Sequence, residues 1–530
     1  MTGLKDWIRA CASRLSPSPS RGGQGWGWGA TNCAPHPPRA GRACAPYVDR
    51  NPAPPRKIGR VLSRLALALA SLAMLLVIAL AALGVIVTAS GVLDRRPGAW
   101  TVPVTLLPGV TVQANVAGLA RLATSPIGLA LLDGRRHTTR RGPVNGHLAV
   151  QRDGDTLVLR CAPCRVQDPR LAARPVALPP LELRATRRAG TESNRRIDLR
   201  LALGAVEAEA VATLAPEGIE LAWTLPPTEI AALYRALADA VPEAKFARIE
   251  GRLQASGTLA LPTLRARNRV SIDGFEVGGL GTERLTDGWF AFGCRGADES
   301  PRTLTSGEGE RGWLDAEALG TLLPAAVLTA EDQRFATHPG YDPVEITQAL
   351  AEVDLDGEGR NDGADDSGKN GSNDGPRALR GASTITQQLA RTLHTGPERT
   401  AARKLRELLY AVEMERTLGK ERILLLYLNT VHWGPGLCGA RAAARTYFNK
   451  RPNQLTPLEA AWLAASIRRP NAAHAREFAT GTPQPARAHM VLQQMRSLPR
   501  HERERAARQT LVFARPRAVA IAERGTRPVP

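Results

Sequence analysis

Leu65 to Val92 is a run of 28 residues without a single charge, LALALASLAMLLVIALAALGVIVTASGV. About 20 apolar residues cross the hydrocarbon core of a bilayer, so this run predicts a transmembrane helix with some tilt. It is too long, and lies too deep in the chain, for a signal-peptide core. Arg56, Lys57, Arg60 and Arg64 stand on its N-terminal side, and residues 1–64 hold eleven cations against two acids. By the positive-inside rule that side is cytoplasmic, and residues beyond about 95 face outward. The sequence therefore reads as a single-pass protein of the cytoplasmic (inner) membrane with its bulk on the periplasmic face. Residues 1–57, rich in Pro, Gly, Ser and Arg (SPSPSRGGQGWGWG, CAPHPPRAG), read as a disordered cytoplasmic tail, and 58–95 as the membrane helix with its basic flank.

A chain of 530 residues exceeds one compact core. Its 70 Lys+Arg against 50 Asp+Glu give a net charge of +20, which leaves nucleic acid, anionic membrane and phosphate-bearing substrates open as partners. The split of the cations across a membrane and an aromatic content of 4% speak against a nucleic-acid binder. Beyond the apolar run lie four cysteines, an even number in an oxidising space. Cys161-Ala-Pro-Cys164 has no second CxxC or paired His to make a zinc site; a local disulfide is its plain reading and a Cys294–Cys438 pair is one option, and the sequence leaves the pairing of the four open.

Between 97 and 292 the hydrophobic period is two. TLVLRC, IDLRLALGAVEAEAVATL, GIELAWTL and IEGRLQASGTLALP alternate apolar and polar residues between Gly, Asp and Pro turns. A helical stretch from Thr228 to Phe246 interrupts them. This is a β-rich extracytoplasmic domain with no catalytic constellation, and its expected role is scaffold, spacer or docking surface.

After about residue 305 the period becomes helical, and three polar clusters appear. In AEDQRFATHPGYD, Glu331, Phe335 and His338 fall at i, i+4 and i+7, one face of a helix. A carboxylate beside an aromatic suits a general base, although a lone acid at such a place also serves as a cap. In GASTITQQLAR, Ser383, Thr384, Gln387, Gln388 and Arg391 offer donors for sugar hydroxyls and phosphate oxygens, or simply a capped helix start. In ERTAARKLRE, Arg399, Arg403 and Glu407 form a stripe fit for a diphosphate, or a solvated ion-pair face.

Taken in order, EDQRFATHPGYD, RGASTITQQLART, RKLRE, KERILLLYLNTVHWGPGLCGARAAARTYFNK and LTPLEAAWLAASIRRPN resemble the five motifs of the family 51 peptidoglycan glycosyltransferases, found in bifunctional penicillin-binding proteins and in monofunctional transglycosylases. The resemblance covers about a third of the chain and implies a mainly α, lysozyme-like glycosyltransferase domain over 305–478; with one transmembrane helix, the β-rich middle domain and a basic C-terminal extension over 479–530, the chain reads as a multidomain protein. The resemblance implies polymerisation of lipid II into glycan strands with release of undecaprenyl diphosphate. By position, Glu331 matches the base that deprotonates the acceptor hydroxyl, with Asp332, Phe335 and His338 in support. Thr384, Gln387, Gln388 and Arg391 match donor-site residues, and Arg399 and Arg403 match diphosphate-binding cations. Glu407 matches a second essential carboxylate that works with Mg2+ or another divalent cation. No Lys has a Ser three residues before it, so the SxxK motif of a transpeptidase is absent and cross-linking is expected from a separate transpeptidase. Leu425 and Asn449 stand where the family usually has Glu and Gly, and Asp354–Gly375 is an acidic insertion between the first two motifs. These departures motivate the alternative, a catalytically weak scaffold for wall-synthesis partners. A lysozyme-like hydrolase is a third reading, disfavoured because it needs no paired cations for a diphosphate.

Overall fold

The computed structural model describes residues 92, 98–107, 110–139, 144–188, 195–263, 265–298, 300–310, 312–343, 353–354, 383–398 and 400–514. The apolar run apart from Val92, the acidic insertion beyond Asp354, and Arg399 lie outside the described residues. Among the described residues no helix is long and apolar enough to cross a membrane. The chain divides into two compact units, residues 8–122 and the remainder of the described chain.

In the first unit, strands β1 (Thr101–Leu107) and β2 (Val110–Asn115) form an antiparallel hairpin. The buried Asn115 side chain accepts from the Gly118 N–H at 3.0 Å, which caps the helix that follows.

The second unit joins a large sheet to a helical body. The sheet is wholly antiparallel, a meander through β3 (Arg136–Thr139), β4 (Val144–Asp153), β5 (Thr156–Val166), β7 (Leu181–Arg188), β8 (Arg195–Leu203), β9 (Val206–Ala215), β10 (Gly218–Glu229), β11 (Arg248–Leu261) and β12 (Arg265–Gly278). The short β6 (Val176–Leu178) pairs with β5. The alternation read from the sequence sets its two faces. Leu157, Ala185, Leu199, Ala210 and Trp223 are successive cross-strand partners and share one apolar face. One residue along, Val158, Arg184, Arg200, Glu209 and Thr224 share the other, where Arg200 and Glu209 form an ion pair at 3.2 Å. Cys161–Cys164 is a disulfide within β5.

The helical stretch expected over Thr228–Phe246 is shorter than its pattern. β10 runs on to Glu229, and the helix covers Ile230–Ala236 before a separate 3-10 turn at Pro242–Lys245. The helix ends at Ala236, and Pro242, whose missing N–H costs nothing at a first position, opens the 3-10 turn. The break aims Glu243 and Tyr234 at the helical body, a consequence taken up below.

A hairpin, β13 (Trp289–Arg295) with β14 (Pro301–Gly307), leads from the sheet into the helices, and the Cys294–Cys438 disulfide ties it to the helical body. There α1 (Leu322–Glu331), α2 (Ile385–Ala390), α3 (Ala401–Thr430), α4 (Ala440–Phe448), α5 (Pro457–Ser466) and α6 (Ala486–Gln494) surround one core that includes Leu323, Ile385, Leu426, Trp433 and Tyr447. α3 breaks at Gly419, whose φ of 71° lies in the left-handed region where an L side chain is strained. Asn449, the departure from the usual Gly, has φ 53° as the C-cap of α4, and Asn is the next residue after Gly to tolerate that conformation. The segment set apart in sequence as a C-terminal extension belongs to this body through residue 514. Val491, Leu492 and Met495 are buried in the core, and Phe513 stacks among Tyr447, Trp462 and Phe478. Its apolar positions are diluted by Arg, which hid them in the sequence.

Candidate active site

α1 ends on the first cluster. Glu331 is its last residue, because Asp332 leaves helical geometry with φ −159°. The Asp332 carboxylate is buried and fixed twice: it accepts from the Ile385 N–H at 2.9 Å and sits 2.9 Å from His338 Nε2. His338 Nδ1 accepts from the Gly340 N–H at 3.1 Å, so the proton of the neutral ring lies on Nε2 and is donated to Asp332. Phe335 packs edge-on against the His338 ring at 5.9 Å. Asp332, Phe335 and His338 thus form a buried brace beside Glu331; because α1 ends at Glu331, they do not share a helix face with it as the i, i+4, i+7 spacing suggested. Gly340 is required here: its φ is 92°, and a Cβ would stand 2.7 Å from the Ala411 carbonyl oxygen of α3.

The second cluster is divided between structure and site. Thr384 is the N-cap of α2, its hydroxyl accepting from the Gln387 N–H at 3.1 Å and donating to the Gly340 carbonyl at 2.7 Å. Its donor capacity is used internally, so the capping alternative describes it. Gln388 holds Glu331: its amide donates to Glu331 Oε2 at 3.1 Å, while its own oxygen accepts from the Tyr427 hydroxyl at 2.8 Å. Ser383 and Gln387 face the other way, onto Lys404, with Nζ at 2.6 Å from Ser383 Oγ and 3.0 Å from Gln387 Oε1. α2 therefore touches the base on one side and the third cluster on the other, because adjacent helix residues diverge by about 100°.

The third cluster opens α3. Thr400 caps the helix through the Arg403 N–H at 3.1 Å. The Glu407 carboxylate is buried at 1% exposure and sits between two cations, Arg403 at one oxygen and Lys404 Nζ at 3.1 Å from the other. Arg391 is exposed, and its charge acts on both Glu331 and Lys404. Burial pushes the Lys404 ammonium down from 10.5 to about 7, with Arg391 and Arg403 adding to the fall. Glu407 opposes that fall but is shared with Arg403. A surplus of positive charge around a single buried carboxylate is a site prepared for an anion.

Mg2+ was expected at Glu407. The donor set does not fit a resident ion: the cluster has one carboxylate, and both of its oxygens face cations.

Glu331 itself lies in a cavity of about 420 Å³ whose walls include Ser383, Thr384, Arg468, Arg487 and Gln494. Burial raises its pKa above the usual carboxylate range, while the Gln388 hydrogen bond, Arg487, Arg468 and Arg391 restrain the rise. Arg468 and Arg487, like Lys404, were not singled out from the sequence. Lys404 had a signal in its i, i+3 spacing to Glu407, and Arg487 had none, since it belongs to a helix far along the chain. Arg399 lies outside the described residues.

The comparisons agree with this geometry. A family described as Transglycosylase matches residues 369–496, the stretch that contains the second and third clusters and both distant arginines. The chain is 40% identical over 170 residues to a biosynthetic peptidoglycan transglycosylase of Alcanivorax borkumensis, covering 32% of this chain and 62% of that protein. The protein of the same description from Rhodopseudomonas palustris is 35% identical over 181 residues, 34% of this chain and 71% of the relative. That from Aromatoleum aromaticum is 37% identical over 176 residues, 31% of this chain and 68% of the relative. The chain spans 60–62% of the first relatives' length. With more than two thirds of two such relatives matched at 35% and 37% identity, this chain belongs to the biosynthetic peptidoglycan transglycosylase family.

Proposed function

We propose that the chain is a peptidoglycan glycosyltransferase that polymerises lipid II on the outer face of the cytoplasmic membrane. The observation that carries this reading is the placement of Glu331: a buried carboxylate with a raised pKa, oriented by Gln388 and linked through α2 to a cation cluster around Glu407.

The acceptor sugar's 4-hydroxyl is a poor nucleophile. Its proton passes to Glu331 as its oxygen bonds to the donor's anomeric carbon, and the bond from that carbon to the diphosphate breaks with inversion. The diphosphate leaves with both electrons, and Arg391, Arg403 and Lys404 are the cations available to receive its charge. Glu407 holds Arg403 and Lys404 in place between turns. Glu331 works as a base only when ionised; burial raises its pKa and makes it a better proton acceptor, while the Gln388 hydrogen bond, Arg487 and Arg468 restrain that rise. The membrane helix read over 58–95 would hold the site where the lipid-linked substrate is concentrated. Cross-linking of the strands would fall to a separate transpeptidase.

The test is lipid II polymerisation by the detergent-solubilised full chain, with Glu331→Gln as the control, for which a loss of about 100-fold or more is expected for a missing general base. A wild type that binds lipid II yet makes no strands refutes the catalytic reading. Release of soluble muropeptides from purified wall would replace it with hydrolysis.

A further inference from the structure

A second cavity, of about 550 Å³, lies where the sheet meets the first turns of α3. It does not contain Glu331. Its walls carry four guanidiniums, Arg165 and Arg174 from the sheet side and Arg403 and Arg406 from α3, against the carboxylates of Asp239 and Glu398. Asp239 is already engaged, accepting from the Ala177 N–H at 2.8 Å. Arg403 and Arg406 each have a buried carboxylate, Glu407 and Glu243. Arg165 and Arg174 are exposed and have no acidic or hydrogen-bond partner among the described residues.

The cavity is fixed by contacts between the two parts of the unit. The N–H groups of Ala401 and Ala402, which a helix start leaves without intrahelical partners, donate to the Arg170 and Leu171 carbonyls at 2.7 and 2.9 Å. The loop carrying Arg174 is thereby tied to the start of the helix that carries Arg403. Tyr234 donates its hydroxyl to the Leu405 carbonyl at 3.1 Å, and Arg406 Nε lies 2.8 and 2.9 Å from the two oxygens of the Glu243 carboxylate. Four guanidiniums are therefore held around one space by restraints on both sides.

We propose that this junction is an anion site, and that the sheet supplies Arg165 and Arg174 as the outer half of the binding site for the diphosphate of a lipid-linked sugar. A diphosphate suits it because guanidinium forks pair with phosphate oxygens two at a time, and the volume takes that group with its flanking atoms. Arg403 borders this cavity and also pairs with Glu407, so a diphosphate held here is in contact with the proposed donor cluster. The identity of the ligand rests on the proposed polymerase reading; the presence of an anion site does not.

The test uses the full chain in detergent with inorganic pyrophosphate as the probe, titrated calorimetrically at fixed ionic strength. The double variant Arg165→Ala/Arg174→Ala is expected to bind it at least tenfold more weakly, with a smaller dependence on salt, and Arg200→Ala/Arg269→Ala on the sheet's polar face to bind it as wild type does. With lipid II, the first variant should raise KM by a similar factor and leave kcat within about twofold. Wild-type pyrophosphate affinity in the Arg165/Arg174 variant overturns the site, as does an equal loss in the Arg200/Arg269 variant. Binding is read without turnover, so a chain that makes no strands but loses pyrophosphate on this substitution refutes the polymerase and keeps the anion site. A chain that makes strands with unchanged KM and affinity refutes the anion site alone.

Discussion

Lys404 allows a quantitative test of the donor cluster. Its ammonium is held at about 7 in the free protein, so near pH 7 only half the molecules carry that charge. A diphosphate diester is fully ionised across the neutral range and interacts more strongly with the charged form. Binding it must draw a proton onto Lys404 and return the pKa toward its ordinary value. Between pH 6 and pH 9 the charged fraction of the free protein falls about 90-fold for a group titrating at about 7, which is the largest loss of affinity this group can cause. The Lys404 side chain is 44% exposed, and solvent screening reduces the coupling, so the expected loss is about ten- to 90-fold. Calorimetry with a non-reactive diphosphate diester gives the affinity at each pH, and two buffers of different ionisation enthalpy count the proton taken up, about half per ligand at pH 7 and approaching one by pH 9. Lys404→Arg, which stays charged throughout, should remove both the pH dependence and the proton uptake. Stability carries the matching sign. The unfolded chain binds this proton up to about 10.5 and the folded chain only to about 7, so ligand-free stability rises with pH across that window. Equal affinity at pH 6 and pH 9, or the same pH dependence in Lys404→Arg, refutes the assignment.

Two further outcomes follow from the site and its supports. Arg487 is one of the charges that restrain the rise in the Glu331 pKa, so Arg487→Ala should move the acidic limb of kcat/KM to higher pH without moving the alkaline limb; an unmoved acidic limb in a pH–rate profile counts against Glu331 as the base. Glu413 of α3 is fully buried and accepts the Leu280 and Thr282 N–H groups at 2.7 and 3.2 Å, so Glu413→Gln should leave one donor unpaired and cost about 1–3 kcal/mol in urea unfolding. A change below about 0.5 kcal/mol would show that this contact does not hold the sheet to the helix.

Periodicity made the sheet readable before any coordinates, since alternation with Gly and Asp turns fixes strands, and an antiparallel meander needs only short connections. The three polar clusters were equally visible in the sequence, because each is local. Residues supplied from a distance were not. Arg487 completes the pocket around Glu331 from a helix with no distinguishing spacing, and Glu413 reads in sequence as one more charge on a long helix, although it is fully buried. Thr384 stayed ambiguous for a different reason: a hydroxyl at a helix start serves a cap and a sugar equally well in sequence, and the Gly340 carbonyl 2.7 Å away identifies the cap.

The placement of the sheet's contacts says which half of the reaction it affects. Its hydrogen bonds and ion pairs with α3 run from Ala401 and Ala402 through Leu405 and Arg406 to Glu413 and Thr417, four turns of the helix that presents Arg403, Lys404 and Glu407. The brace under Glu331 is built otherwise, from Asp332, His338 and the backbone of Gly340 and Ile385, all within the helical body. Loosening the sheet should therefore disturb the cations proposed to receive the diphosphate more than the proposed base, which the sheet reaches only through Phe275 against Tyr341. A spacer that only set the catalytic body's distance from the membrane would need no buried carboxylates at the join. Glu243 and Glu413 are 3% and 0% exposed, and such groups are costly to bury unless the position of what they hold matters.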